Sequence, residues 1–331
     1  MALGPDFQVH RDDHDIHRIR YGATAVVSTP AIFRVEGPGA LTCLQGLLTN
    51  DLDTPGPGSL VYGALLTPKG MIILDLWSIR DETGFLLVAP EQSRDTALQL
   101  FKRSLPPRLA RVTDLTGQWV AAWLLGELTA EKLPLAGLGE FPLPGEARLV
   151  STDAGAVHLA CGTPTAWFRG LLIGSTDAVA TARARLAAVG AVLGTGDDLE
   201  TARVLAGWPT LDREIGEKTL PQEVAFDELG GVSYTKGCYT GQETVARVHF
   251  RGHPNRELRG LVWDDLSALT SEAVIAAGKE VGQFTSLVVT PTRRFGLAVL
   301  RREILPGQPV MAGGQAATVV ALPLSPDPLA A

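Results

Sequence analysis

Lys236-Gly237-Cys238-Tyr239-Thr240-Gly241-Gln242-Glu243 is the stretch of this 331-residue chain where several local signals meet at one reactive side chain. Thr240 to Glu243 has the T-x-x-E form of a capping box: the threonine oxygen takes the amide at the third helical position and the glutamate returns to the cap amide. A helix is therefore expected from Gly241, with Val245, Ala246 and Val248 on its buried stripe and Gln242, Glu243, Arg247 and His249 mainly on other faces. Cys238 falls two residues before that cap, where the positive end of the helix dipole and the nearby Lys236 would lower its pKa and favour the thiolate. The competing reading is a small buried cysteine that packs as a hydrophobe.

Working outward from this stretch, the patterns are those of an α+β chain. Leu41, Leu44, Leu47 and Leu48 make a helical stripe that delivers Thr49, Asn50 and Asp51 to a polar loop. Residues 24–28 and 32–35 read as short strands. After the break at Pro55-Gly56-Pro57-Gly58, residues 61–67, 71–79 and 85–89 read as an antiparallel meander, turned at Pro68-Lys69-Gly70 and at 80–84. Asp75 lies inside the middle strand, between Leu74 and Leu76. A charge there needs a wet cavity or a partner, unless it is simply an outward residue of an alternating strand.

A helix over 93–105 ends at Pro106-Pro107. Strands at 119–125, 148–151, 156–160 and 167–173 precede helices over 177–189 and 198–205, and 134–144 reads as a loop. Residues 251–255 read as a linker, after which strand-like runs at 258–263, 273–276, 280–289, 296–301, 310–311 and 317–322 indicate a small barrel. Near the start, His10, His14 and His17 recur at helical spacing, but the charged residues among them favour a solvated terminal segment over a metal site, and no metal is expected.

Composition narrows the function classes. A formal net charge of -7 argues against a general nucleic-acid binder, whose affinity comes from neutralising phosphates. Cys43, Cys161 and Cys238 are far apart, which fits neither a disulfide framework nor a zinc ribbon and falls short of the usual four thiolates of an iron-sulfur cluster. No apolar run approaches the ~18 to 20 residues of a membrane span, and the charged start lacks a signal-peptide core, so a cytoplasmic protein is expected. Neither G-x-G-x-x-G nor a P-loop sequence occurs.

The octapeptide at Cys238 closely resembles the signature of the YgfZ family of folate-binding proteins, relatives of the glycine-cleavage aminomethyltransferases that assist iron-sulfur enzymes. The resemblance extends to Leu44-Gln45-Gly46-Leu47-Leu48-Thr49-Asn50-Asp51, Leu66-Thr67-Pro68-Lys69-Gly70, Arg203-Val204-Leu205-Ala206-Gly207 and Leu220-Pro221-Gln222-Glu223. It implies a three-domain ring of the aminomethyltransferase type: residues 1–55 with 117–205 as a first α+β domain, 56–116 with 206–255 as a second, and 256–331 as the C-terminal β-barrel. It further implies that tetrahydrofolate, or a one-carbon-substituted form, binds in the central cavity. Glu223 would face the pterin, whose N–H edge suits a carboxylate acceptor. Asn50, Asp51, Arg203, Gln242 and Arg247 are the further folate contacts, with Lys236 or Arg251 as other cations for the glutamate tail.

The same resemblance makes Cys238, Lys236 and Asp75 the reactive set and client iron-sulfur enzymes the partners, radical enzymes that modify tRNA among them. No direct nucleic-acid contact, no membrane contact and a monomer are expected. Departures bear on chemistry. Where the aminomethyltransferases carry two consecutive acids this chain has Leu74-Asp75, where they carry L-E-A-G it has Leu205-Ala206-Gly207, and Cys238 replaces a non-thiol residue. These differences favour an accessory protein for cluster assembly or repair. A folate-dependent aminomethyltransferase or demethylase is the alternative, and a scaffold that holds folate only structurally is a third.

Overall fold

The computed structural model describes residues 8–325, and its layers follow from strict period-two burial. In strand β8 (Trp119–Leu125), Ala121, Trp123 and Leu125 enter one core while Val120, Ala122 and Leu124 enter another. Strand β6 (Gly84–Ala89) does the same, with Leu86 and Val88 joining the first core and Phe85, Leu87 and Ala89 a third. Two sheets thus share a central core, and each carries helices on its far face.

The first sheet has the order β12 (Val192–Leu193), β2 (Thr24–Ser28), β8, β11 (Gly170–Ser175), β10 (Gly155–Cys161), β9 (Ala147–Thr152). The second runs β4 (Ser59–Leu66), β5 (Ile72–Arg80), β6, β3 (Ala31–Glu36), β7 (Arg111–Asp114). Here β4, β5 and β6 form the expected antiparallel meander. Helices α2 (Ala40–Gln45) and α3 (Arg94–Ser104) cover the second sheet through Leu44, Ala97 and Phe101. Helices α4 (Thr129–Leu135) and α5 (Thr176–Ala188) cover the first through Leu133, Val179 and Leu186. Helix α4 was not expected; Pro134 near its end hides its periodicity.

The strand at 31–36 departs from the expected partition of the chain. The resemblance groups residues 1–55 with 117–205, yet β3 pairs antiparallel with β6 and β7 in the second sheet. The reason is the alternation in Ala31-Ile32-Phe33-Arg34-Val35, which sends Phe33 against Phe101 of α3 with ring centroids 5.5 Å apart.

The C-terminal strands β13 (Arg256–Trp263), β14 (Ala273–Ala276), β15 (Lys279–Val289), β16 (Arg294–Arg301), β17 (Pro309–Ala312) and β18 (Gln315–Val320) form a barrel, closed by the β15–β16 pairing. Its interior holds Leu261, Trp263, Phe284 and Leu300. Strand β1 (Gln8–His10) adds to β15 in parallel. The N-terminal segment is therefore docked rather than solvated: Ile16 and Ile19 of α1 (Asp13–Tyr21) are buried, and Arg18 donates to Asp198 of α6 (Gly196–Ala206) at 2.9 Å. The expected exposure holds for His10, His14 and His17 and for Asp12 and Asp13 among them. No helix among the described residues is long and apolar enough to cross a membrane.

Candidate functional site

Helix α7 (Gln242–Arg251) begins one residue later than the T-x-x-E pattern indicates. Its cap is Gly241 at φ 83°, with no side-chain capping bond, and the Thr240 amide donates instead to the Gly46 carbonyl at 3.1 Å. Close approach of backbone explains the change. A Cβ on Gly241 would sit 2.5 Å from the Thr67 carbonyl oxygen, so the turn at 67–70 can pack here only against a glycine.

Lys236 also differs from its expected role beside the thiol. Its ammonium donates to the carbonyls of Gln45 at 2.8 Å, Leu48 at 2.7 Å and Asn50 at 2.8 Å, which occupies all three N–H groups. Burial pulls its pKa down to about 8, and Asp51 pulls the other way. The ammonium is thus held on main-chain carbonyls, and the helix starts one residue further from Cys238 than expected. Cys238 is nevertheless exposed, whereas Cys43 is half-buried and Cys161 buried. The alternative of a small buried hydrophobe at 238 is thereby corrected.

Three of the segments that carried the resemblance therefore converge. Lys236 ties the octapeptide to the end of α2, and Gly241 and Thr244 pack on the turn at 67–70. In the loop after α2, Asn50 donates to the carbonyls of Tyr62 at 2.8 Å and Gly230 at 2.7 Å. Asp51 accepts from Gln45 at 2.7 Å, from Thr54 Oγ1 at 2.5 Å and from the Asp53 amide at 2.9 Å. Although burial alone would raise the Asp51 pKa, these donors bring it down to about 2. The polar groups of both residues hold the loop together.

The cavity lies elsewhere, between the two sheets and α6. It measures about 400 Å³ and is walled by Trp77, Trp123, Trp167 and Trp208, with Asp75, Glu200 and Arg203 among its polar lining. Asp75 faces inward from β5 and is only 7% exposed. Its Oδ2 accepts from the Tyr62 hydroxyl at 3.0 Å, while its Oδ1 is buried with no hydrogen-bond partner among the described residues. Burial pushes its pKa up to about 6, against the Tyr62 bond, the residue's own main-chain amide and the charge of Arg203. An unpartnered carboxylate oxygen in an aromatic cavity is a receptor for N–H donors on a flat ring.

Arg203 lines the same cavity, but its five N–H groups are all engaged. Nε donates to Glu200 at 2.8 Å, Nη1 to the Trp208 carbonyl at 2.6 Å and Glu214 at 3.0 Å, and Nη2 to Glu200 and Ser286 at 2.6 Å each. From the cavity wall it braces α6, the 208–214 loop and the barrel. Glu223, expected at the pterin, is not among the lining residues; its Oε2 accepts from the Leu220 amide at 3.0 Å in a short 3-10 turn over Pro221–Val224. Gln242 is at the first turn of α7 and Arg247 exposed on it, and neither lines the cavity. Cys238 is likewise outside it.

Of the site residues, sequence reasoning missed the tryptophans and Glu200. The signal was present: four of the chain's six tryptophans line one cavity, although they stand at 77, 123, 167 and 208. Trp77 stacks on Trp208 with centroids 5.6 Å apart, and Phe168 packs edge-on against Trp77 and Trp123 at 4.9 Å each.

Comparison with known proteins agrees with this architecture. The family described as the GCVT N-terminal domain matches residues 7–133. The fold is similar to the glycine cleavage system aminomethyltransferase T of Bartonella henselae: TM-score 0.79, 21% identity, 94% of this chain and 88% of that one. The chain is therefore built on the aminomethyltransferase α+β fold, with a closed six-strand barrel.

Similarity to curated proteins is finer. The tRNA-modifying protein YgfZ of Klebsiella pneumoniae is 31% identical over 238 residues, covering 69% of this chain and 68% of that protein. That of Edwardsiella ictaluri is 32% identical over 234 residues, covering 68% and 66%. The chain belongs to the YgfZ family.

Proposed function

We propose that the protein binds a reduced folate in the tryptophan-lined cavity and serves as an accessory factor for iron-sulfur enzymes, with Cys238 as its reactive thiol. The observation that carries the binding reading is the free Oδ1 of Asp75, buried in a cavity whose size falls within the range of about 300 to 1,000 Å³ usual for small ligands. A pterin offers adjacent N–H donors on a flat ring. The indole walls suit its faces and Asp75 its edge, so this acid takes the role expected of Glu223. A bound tetrahydrofolate would supply a nitrogen pair able to carry a one-carbon unit; the chain's own residues orient it and exclude water around it.

The accessory role is supported by membership of the YgfZ family and by the exposed thiol in the family octapeptide. Calorimetry with tetrahydrofolate tests the binding reading. Asp75→Asn should weaken binding about tenfold or more, the consequence of losing a charge-assisted bond of about 1.5 to 3 kcal/mol. No heat of binding in the wild type would exclude the cavity assignment. For the accessory role, a deletion strain should lose activity of its iron-sulfur enzymes, and Cys238→Ala should fail to restore it while still binding folate. Full rescue by that variant would overturn the role of the thiol.

One observation favours an enzyme instead. A carboxyl group with a pKa of about 6, facing a cavity, is suited to general acid-base work near neutral pH. Formation of methylene-tetrahydrofolate from an aminomethyl-lipoyl carrier protein by the wild type would establish that reading.

A further inference from the structure

Trp167 also borders a second cavity, which Asp75 does not line. This one measures about 350 Å³ and lies between the start of β11, the end of α1, α6 and the C-terminal segment, with Arg20, Glu127 and Arg169 as its charged lining. Its electrostatics are opposite to those of the first. Among the described residues, neither guanidinium has a hydrogen-bond or ion-pair partner; Arg20 lies over the Tyr21 ring at 5.5 Å and Arg169 is exposed. The aromatic wall continues from one cavity to the other. Tyr62, which holds Asp75, is 4.9 Å from Trp77; Trp77 is 4.9 Å from Phe168; and Phe168 is 5.3 Å from Trp167.

We infer that the two cavities are the two poles of one elongated site, in which Arg20 and Arg169 receive the carboxylates of a ligand whose ring end is held by Asp75. The inference rests on the folate reading and deepens it, because it assigns the glutamate tail to this side of Trp167. Other cations do not fill the role. Lys236 has its three N–H groups on main-chain carbonyls, Arg203 has its five engaged, and Arg247 and Arg251 line neither cavity. A guanidinium pair suits carboxylates, which it meets with two parallel N–H groups. Polyglutamate forms extend the anionic tail toward solvent, so the open rim at Arg169 predicts that they are accepted and bind more tightly. Glu127 is the one acid in the second cavity and opposes the tail.

The test uses the full chain and three probes: tetrahydropteroate, which lacks glutamate, tetrahydrofolate, and its triglutamate. Arg20→Ala with Arg169→Ala should weaken tetrahydrofolate about tenfold or more and the triglutamate by a larger factor, with tetrahydropteroate unchanged. Glu127→Gln should tighten tetrahydrofolate by about two- to threefold, the opposite sign. The paired lysine substitutions should restore part of the loss, and thermal unfolding should show the alanine variant folded. If tetrahydropteroate binds and the alanine variant still holds tetrahydrofolate as wild type does, the tail assignment is overturned while the ring site stands. Equal losses for tetrahydropteroate and tetrahydrofolate would also overturn it, since the arginines would then act through the fold. Failure of the wild type to bind any of the three removes the folate reading itself.

Discussion

Asp75 shows how one buried oxygen makes a position testable. Its folded pKa is raised from 3.8 to about 6, so between those values the folded state holds a proton that the unfolded state has released. The resulting stability is fully present below about pH 4 and is lost as pH rises through about 6. Compared with Asp75→Asn, the ligand-free wild type should therefore lose up to about 3 kcal/mol across that interval, at 1.4 kcal/mol per unit. Urea unfolding of both proteins at pH 4 and pH 7 reads this difference, and a pH-independent difference would contradict the burial argument. Folate affinity should run the other way. Only the ionised carboxylate gives the pterin edge a charge-assisted bond, so affinity should fall as pH drops through about 6, by about the tenfold expected of Asp75→Asn. Cys238 is tested by access: an alkylating reagent should label it first and Cys161 last, because Cys161 is 3% exposed and its pKa is raised by burial. Labelling of Cys238 only after denaturation would make the thiol structural.

At the scale of elements, the octapeptide works as a clasp. Lys236 closes the carbonyl end of α2 and the loop after it, while Gly241 lets the β4–β5 turn press against the start of α7. Three carbonyls depend on one ammonium, and a buried carbonyl without a donor costs about 1 to 3 kcal/mol. Lys236→Met should lower unfolding stability by about 2 to 4 kcal/mol and expose the 45–51 loop to proteolysis, with folate affinity falling less than it does for Asp75→Asn. A variant of wild-type stability that binds folate poorly would instead make Lys236 a ligand contact. The link to the cavity is short, since Asn50 holds the main chain of Tyr62 and the Tyr62 hydroxyl holds Asp75.

For the whole molecule, the decisive contact is the buried network between the sheets and the barrel. Glu214 accepts from Arg203 at 3.0 Å and from Thr285 and Ser286 of β15 at 2.6 Å each, so α6, the 208–214 loop and the barrel meet at one carboxylate. Removing one partner leaves a buried charge alone: Arg203→Met should cost about 3 to 5 kcal/mol, and the Arg203→Met, Glu214→Met pair less than the two single costs added. Urea unfolding of the four proteins reads the coupling. A variant at 203 that loses folate affinity without losing stability would return Arg203 to the ligand contacts.

The sequence by itself determined the α+β class, the six barrel strands and the family. Each rests on information local in the chain: period-two alternation, turn residues, and a motif of consecutive positions. The roles of charged residues were not legible in that way. Arg203, Lys236 and Glu223 stand in family segments, yet whether a side chain meets a ligand or a carbonyl depends on groups brought from far along the chain: Ser286 for Arg203 and Gln45 for Lys236. Tertiary structure alone gathered four dispersed tryptophans into one cavity with Asp75 and brought Arg20 and Arg169 to the wall of another, because burial and electrostatics depend on distance in space, which separation along the sequence does not encode.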